Sequence, residues 1–192
     1  PEIEIEYGGN AKDMQDSFRD LIILLVLSIV LVYIVMASQF ESFREPFIIM
    51  FSLPFAFTGV FLALWISGTT LNVISFIGAI MLVGIVVKNG IILVDYTNLL
   101  RDRGVFLKGA VVQGGRLRLR PVLMTSLTMI LAMIPLVLSK GEGSEIWRPM
   151  GISLMGGLTF STLITLIVIP VIYTIFGAAR MKRERKNNPS ND

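Results

Sequence analysis

Lys88 and Asn89 interrupt an otherwise apolar, glycine-containing run, Leu71–Asp95 (LNVISFIGAIMLVGIVVKNGIILVD), whose other polar residues are Asn72, Ser75 and the closing Asp95. A lysine in hydrocarbon costs about 2.5–3.5 kcal/mol on insertion scales, so such a residue calls for a partner or a function. Asp95 stands at i+7 on the same helical face, but about 10 Å of rise separates the two, too far for contact without water. Thr125 and Ser126 add neutral hydroxyls in a later apolar run, and Arg118 precedes Thr125 by one i+7 step. A lysine, a hydroxyl and an arginine facing a bundle interior are parts of an ion or proton path. The apolar runs hold no carboxylate in their interiors, so the anion that completes the path is expected from elsewhere in the protein.

The residues that must position this chemistry are unusually apolar. Hydrophobic residues make up 54% of the 192 and charged residues 16%, with a mean hydropathy of +0.74. Soluble domains run near 45–50% and about 25%. The excess lies in long blocks rather than amphipathic stripes, which marks membrane spans. There is no cysteine or histidine, which removes disulfides, thiolate sites, the commonest metal ligand and the usual near-neutral proton carrier. No cofactor and no metal site is expected.

The fold class expected is an all-α polytopic membrane protein with five helices in a bundle. The spans are 21–38, 46–66, 71–95, 121–139 and 150–176, each near the roughly 20 residues that cross a bilayer core of about 30 Å. Pro46 suits a helix start and Pro54 a kink. Before the spans, Glu2-Ile3-Glu4-Ile5-Glu6-Tyr7 alternates like a strand, Gly8-Gly9-Asn10 reads as a turn, and Ala11–Asp20 as a short lead-in helix. Residues 1–20 thus read as the end of an extracytoplasmic domain, and the absence of an initiating methionine or leader suggests a piece of a longer polypeptide.

Charge sets the orientation. If the spans alternate, twelve Lys and Arg residues share one side: Arg44, the six from Arg101 to Arg120, and five in the 177–192 tail. Lys12, Arg19, Lys140 and Arg148 face the other side. Positive residues favour the cytoplasm, so the C-terminus is expected inside and the N-terminus outside, in the periplasm. The 96–120 connection, where Val105, Phe106, Ala110 and Val111 interleave with Lys108 and Gln113, is expected to form an amphipathic helix on the cytoplasmic membrane surface. Its arginines read as membrane anchors, not as a nucleic-acid patch. In this topology Lys88 lies about 26 Å along its helix from Leu71, past mid-bilayer. Snorkelling to the cytoplasm would run against the tilt of helical side chains toward their own N-terminus, so a buried, paired lysine is the favoured reading.

Small residues recur at helical spacing in two spans. Ser153, Gly157, Ser161 and Thr165 form one stripe, with Gly151 and Gly156 nearby, and Ser52, Ala56, Gly59 and Ala63 form the other. Such stripes let membrane helices approach closely and imply a packed bundle.

GIVVKNGIILVDY (Gly84–Tyr96) and RLRPVLMTSL (Arg118–Leu127), with QFESFREPF (Gln39–Phe47) and MGISLMGGL (Met150–Leu158), resemble the resistance–nodulation–division transporters, in particular their hydrophobe/amphiphile multidrug branch. The resemblance covers essentially the whole chain. It implies twelve spans in two repeats of six, of which this chain would supply the last five. It also implies a proton-driven homotrimer in the inner membrane, a secondary transporter and not an enzyme, exporting hydrophobic or amphiphilic compounds such as drugs. A periplasmic adaptor and an outer-membrane channel are its implied partners. The family's central lysine, matching Lys88, pairs with aspartates in the first repeat, which this chain lacks. Thr125 and Arg118 match accessory relay positions, and Asn89 and Asp95 polar positions beside the lysine. Two rival readings are a non-transporting membrane scaffold that binds partners through its small-residue faces, and a metal-ion-exporting relative. The absence of histidine and cysteine and the presence of Lys88 weigh against the second.

Overall fold

A computed structural model describes residues 9–141 and 143–187, with side chains over 12–141 and 143–177. The strand expected in the first seven residues lies outside the described residues. Those described form six helices and no strand: α1 (Gly9–Phe40), α2 (Arg44–Met50), α3 (Ser52–Ser67), α4 (Val73–Asp102), α5 (Leu107–Leu138) and α6 (Ser144–Asn187). With α2 and α3 taken as one broken span, five segments are long and apolar enough to cross a membrane. The protein is an all-α, multi-pass membrane protein.

Local chemistry explains the breaks. Pro54 has no N–H to give the Met50 carbonyl and its ring would crowd that carbonyl in a continuous helix. The second span is interrupted at Phe51, three residues before the Pro54 at which a kink is expected, and Phe51 itself keeps right-handed helical angles (φ −61°, ψ −16°). The Phe51 N–H bonds the Ile48 carbonyl at 3.3 Å, and the Ser52 hydroxyl donates to the Ile49 carbonyl at 2.7 Å. Helix α3 ends at Gly68, whose φ of 64° is left-handed and favours glycine. Helix α4 begins with a capping box: Asn72 Oδ1 accepts from the Ser75 N–H at 2.8 Å, and the Asn72 N–H donates to Ser75 Oγ at 2.9 Å. Between α1 and α2, Glu41 takes a φ of 49°, and Tyr33 donates to the Phe43 carbonyl at 3.0 Å, holding the reversal in place.

Three boundaries differ from the sequence reading. The lead-in helix is continuous with the first span in α1. The stretch expected to lie on the membrane surface is instead the first part of α5, which runs through Pro121 without interruption. Its Ala110 and Val111 are buried, whereas Phe106 is exposed. A proline removes one backbone bond, and the helical segments on both sides of Pro121 are long enough to continue across that gap. The α4–α5 turn is thus only Arg103–Phe106, tightened by Gly104 at a φ of 85°. Helix α6 likewise continues past the expected end of its span into the basic tail.

Helix α6 is the central post, packed mainly against α3, α4 and α5, whereas among the described residues α1 touches α2 and α4 only. The α3–α6 contact is set by glycines. A methyl group on Gly59 would lie 2.7 Å from the Gly156 carbonyl oxygen, and one on Gly156 would lie 2.1 Å from the Ala63 Cβ. Gly156, not only Gly157, therefore carries the close approach, while Gly157 faces Leu82 and Val60. Ser153, Ser161 and Thr165 are also buried. Gly156→Ala is expected to overpack this contact by about 1–3 kcal/mol, read as a lower midpoint in detergent unfolding. Gly115→Ala, where nothing lies within 4 Å, should leave the midpoint unchanged or raise it. Equal midpoints for the two variants would contradict this packing.

Candidate functional site

The antiparallel α4–α5 pair carries Lys88, Asn89, Asp95, Arg118, Thr125 and Ser126, and its register follows from three contacts. A methyl group on Gly114 would meet Thr97. The Arg118 guanidinium carbon sits 4.4 Å from the Tyr96 ring centroid, a cation–π distance. Asn89 Nδ2 donates to Ser126 Oγ at 3.3 Å. Thr125 therefore lies within about 3 Å of rise of Lys88.

Each residue of a helix is turned about 100° from the last. In antiparallel right-handed helices that face each other through Asn89 and Ser126, the preceding residues, Lys88 and Thr125, turn to the same side. Asp95 and Arg118 follow at i+7 spacing and share that side, about 10 Å of rise closer to the α4–α5 turn. Lys88, Asp95 and Thr125 are exposed there and Arg118 is partly buried. The Thr125 hydroxyl donates to the Val122 carbonyl of its own helix at 3.0 Å. Arg118 Nε is buried without a hydrogen-bond partner, which leaves the Tyr96 ring as the guanidinium's neighbour.

Lys88 opens into a groove between α1 and α4 lined by Leu31, Val32, Val35, Met36, Gly84, Val87, Ile91 and Ile92, with no carboxylate among the lining residues. The lysine is thus not enclosed by this chain; it stands in an open, otherwise apolar groove. Asn89, expected beside it in a relay, is turned away and is only 7% exposed. There it joins Ser126, which also accepts from the Thr162 hydroxyl of α6 at 3.0 Å. Nothing in the sequence distinguishes Thr162 from the neighbouring hydroxyls of its helix.

A second polar cluster closes the other end of α4. Tyr173 Oη of α6 donates to Asn98 Oδ1 and accepts from Arg101 Nη1 at 3.3 Å. Glu45, Asn98, Arg101 and Asp102 line the adjoining cavity. Neither Asn98 nor Tyr173 carries a sequence signal, because they are 75 residues apart. Among the described residues no cluster of three or more histidine, cysteine, aspartate or glutamate residues is placed to hold a metal ion.

A family model described as AcrB/AcrD/AcrF matches residues 1–177. Multidrug resistance protein MdtC of Salmonella paratyphi B (strain ATCC BAA-1250 / SPB7) is 39% identical over 189 residues, covering 98% of this chain and 18% of that protein. Swarming motility protein SwrC of Bacillus subtilis (strain 168) is 38% identical over 182 residues, covering 94% and 17%. A crystal structure of a heavy metal efflux pump superposes with a TM-score of 0.79 at 34% identity, covering 87% of this chain and 17% of that one. The chain therefore spans less than a fifth of the length of these relatives.

The Tyr173 ring packs in the core and its hydroxyl ties α6 to α4, so Tyr173→Phe keeps the ring packing and removes both bonds. The expected loss is about 0.5–1.5 kcal/mol in equilibrium unfolding from mild detergent into dodecyl sulfate. A variant as stable as the parent would remove Tyr173 from the list of interhelical ties.

Proposed function

Given that the chain belongs to the AcrB/AcrD/AcrF family of resistance–nodulation–division efflux transporters, we propose that it is the C-terminal membrane portion of a proton-driven exporter. Its cargo on this reading is hydrophobic or amphiphilic compounds such as drugs, and Lys88 is the charged member of the proton relay. The observation that carries the proposal is the emergence of Lys88 on the open face, with Thr125 beside it and Asp95 and Arg118 nearer the α4–α5 turn. An ammonium in an apolar groove requires an anion, and a carboxylate from another part of the transporter, docked on this face, would supply it. Protonation of that carboxylate cancels the ion pair, frees Lys88 and lets the docked helices shift; a paired charge that titrates acts as a two-state element. Arg118 and Asp95 provide charged positions between this level and the α4–α5 turn.

On this reading the N-terminus of the chain is periplasmic, the C-terminus is cytoplasmic, and the basic residues of α5 and the tail anchor the inner face. The transporter is a homotrimer that works with a periplasmic adaptor and an outer-membrane channel. The structural likeness to a heavy metal efflux pump supports a second cargo, a metal ion, moved by the same membrane machinery, with the choice of cargo made by residues beyond this chain.

In the complete transporter reconstituted in liposomes with a proton gradient, Lys88→Met is expected to abolish export while the protein still inserts and assembles. The assay uses ethidium as an amphiphilic probe and Zn²⁺ as a metal probe, which also separates the two cargo readings. Export by Lys88→Met at the parental rate would refute the relay role.

A further inference from the structure

The buried hydrogen bonds beside Lys88 have a geometry that static packing does not call for. Most hydroxyls in this bundle bond to their own helix: Thr97 to the Leu93 carbonyl, Thr125 to Val122, Thr128 to Met124, Ser153 to Pro149, Thr159 to Met155 and Thr174 to Pro170. That is the undemanding solution in an apolar medium, because a hydroxyl satisfied by its own helix leaves the neighbouring helix free to slide or turn. Thr162 departs from it and donates across to Ser126 Oγ at 3.0 Å. Asn89 Nδ2 reaches the same oxygen at 3.3 Å from the other side. One oxygen on α5 thus accepts from α4 and from α6, and all three residues are at most 7% exposed.

The other polar ties, Arg118 over Tyr96 and Tyr173 to Asn98 and Arg101, lie nearer the α4–α5 turn. Around the triad these interfaces are apolar (Val86, Leu158 and their like), and apolar burial is non-directional. A polar triad is different: moving one member by an ångström or two leaves an amide or hydroxyl unpaired in a medium with no water. Asn89 precedes Gly90 and follows Lys88, and Ser126 follows Thr125, so the azimuth of the buried pair dictates that of the exposed pair. Were α4 turned by one residue, Lys88 would enter the bundle and Asn89 would leave it.

We infer that Asn89, Ser126 and Thr162 are positioning residues for the relay. Their shared hydrogen-bond centre holds α4 and α5 in fixed register on the α6 post, so that Lys88 and Thr125 stand together on the open face and move as one unit. The inference rests on the proposed role of Lys88. The groups around Lys88 in this chain are apolar on α1 (Leu31, Val32, Val35), and Asp95, Thr125 and Arg118 on α4 and α5. None of them bonds to the triad, so the triad acts on Lys88 through the backbone alone.

The test uses the complete transporter in liposomes, with ethidium or Zn²⁺ as the exported probe and rates normalised to inserted protein. Thr162→Val keeps the side-chain shape and removes the donor; Thr162→Ser restores it. Loss of one interhelical hydrogen bond corresponds to roughly a two- to tenfold effect. Thr162→Val is expected to lower kcat by that factor with KM unchanged, and Thr162→Ser to recover most of the loss. Ser126→Ala, which strips two donors of their acceptor, is expected to cost more; if it fails to accumulate, the Thr162 pair decides. Parental kcat in Thr162→Val, a loss that falls on KM, or a Thr162→Ser no better than valine would overturn the inference. Lys88→Met in parallel separates the two claims. An inactive Lys88→Met beside a fully active Thr162→Val overturns only the positioning role, whereas an active Lys88→Met removes the relay on which that role rests.

Discussion

Successive residues of an α-helix point about 100° apart, and at one place in α4 that rotation separates two polar side chains that hydrocarbon tolerates for opposite reasons. Asn89 is uncharged and finds a hydroxyl partner in Ser126, so it faces the bundle. Lys88 carries a charge that no carboxylate lining its groove neutralises, so it faces out. The division holds only while α4 keeps its azimuth, and the azimuth depends on what lies behind it. That support is α6, brought close to α3 where Gly156 meets Gly59 and Ala63, and tied to α4 at Tyr173. A methyl group at Gly156 would push the post away from the helices it holds.

This arrangement gives the molecule two unlike sides. Behind α4 and α5, apolar cores and interhelical hydrogen bonds favour one register. In front, an apolar groove beside α1 surrounds a lone ammonium, with Thr125 near its depth and Asp95 and Arg118 nearer the α4–α5 turn. A rigid back and an unfilled, charged front suit a half that docks against something else. They match the docking surface that the proposed ion-pair relay calls for. Membership of the AcrB/AcrD/AcrF family supplies the setting in which such a front has work to do.

Much of the helical layout was legible along the chain, because bilayer thickness and backbone hydrogen bonding act on consecutive residues. The boundaries were less legible. Pro121 reads as a helix start, yet α5 passes through it, because Ala110, Val111 and Gly114 are buried in the bundle and hold the preceding turns helical. Pro54 reads as a kink, yet the interruption falls three residues earlier, at Phe51, where the Phe51 N–H and the Ser52 hydroxyl satisfy the Ile48 and Ile49 carbonyls. In both cases side chains from elsewhere in the structure, or hydroxyls whose orientation a sequence does not show, decided between two outcomes that proline permits.

By itself, the sequence determined that five apolar segments cross a membrane, that Lys88 is an expensive residue within one of them, and that Lys88–Asp95 and Arg118–Thr125 are each stripes of seven-residue period. These are properties of single helices and of the solvent they sit in. Only the tertiary structure decided that the two stripes share one side, that Asn89 belongs to the interior, and that its partner is Ser126, which also accepts from Thr162. Those facts depend on the rotation and register of one helix against another. That register shows in the Gly114–Thr97 approach, the Arg118–Tyr96 contact, the ties of Tyr173 to α4 and the Ser126 oxygen that Asn89 and Thr162 share, all between residues distant in the chain.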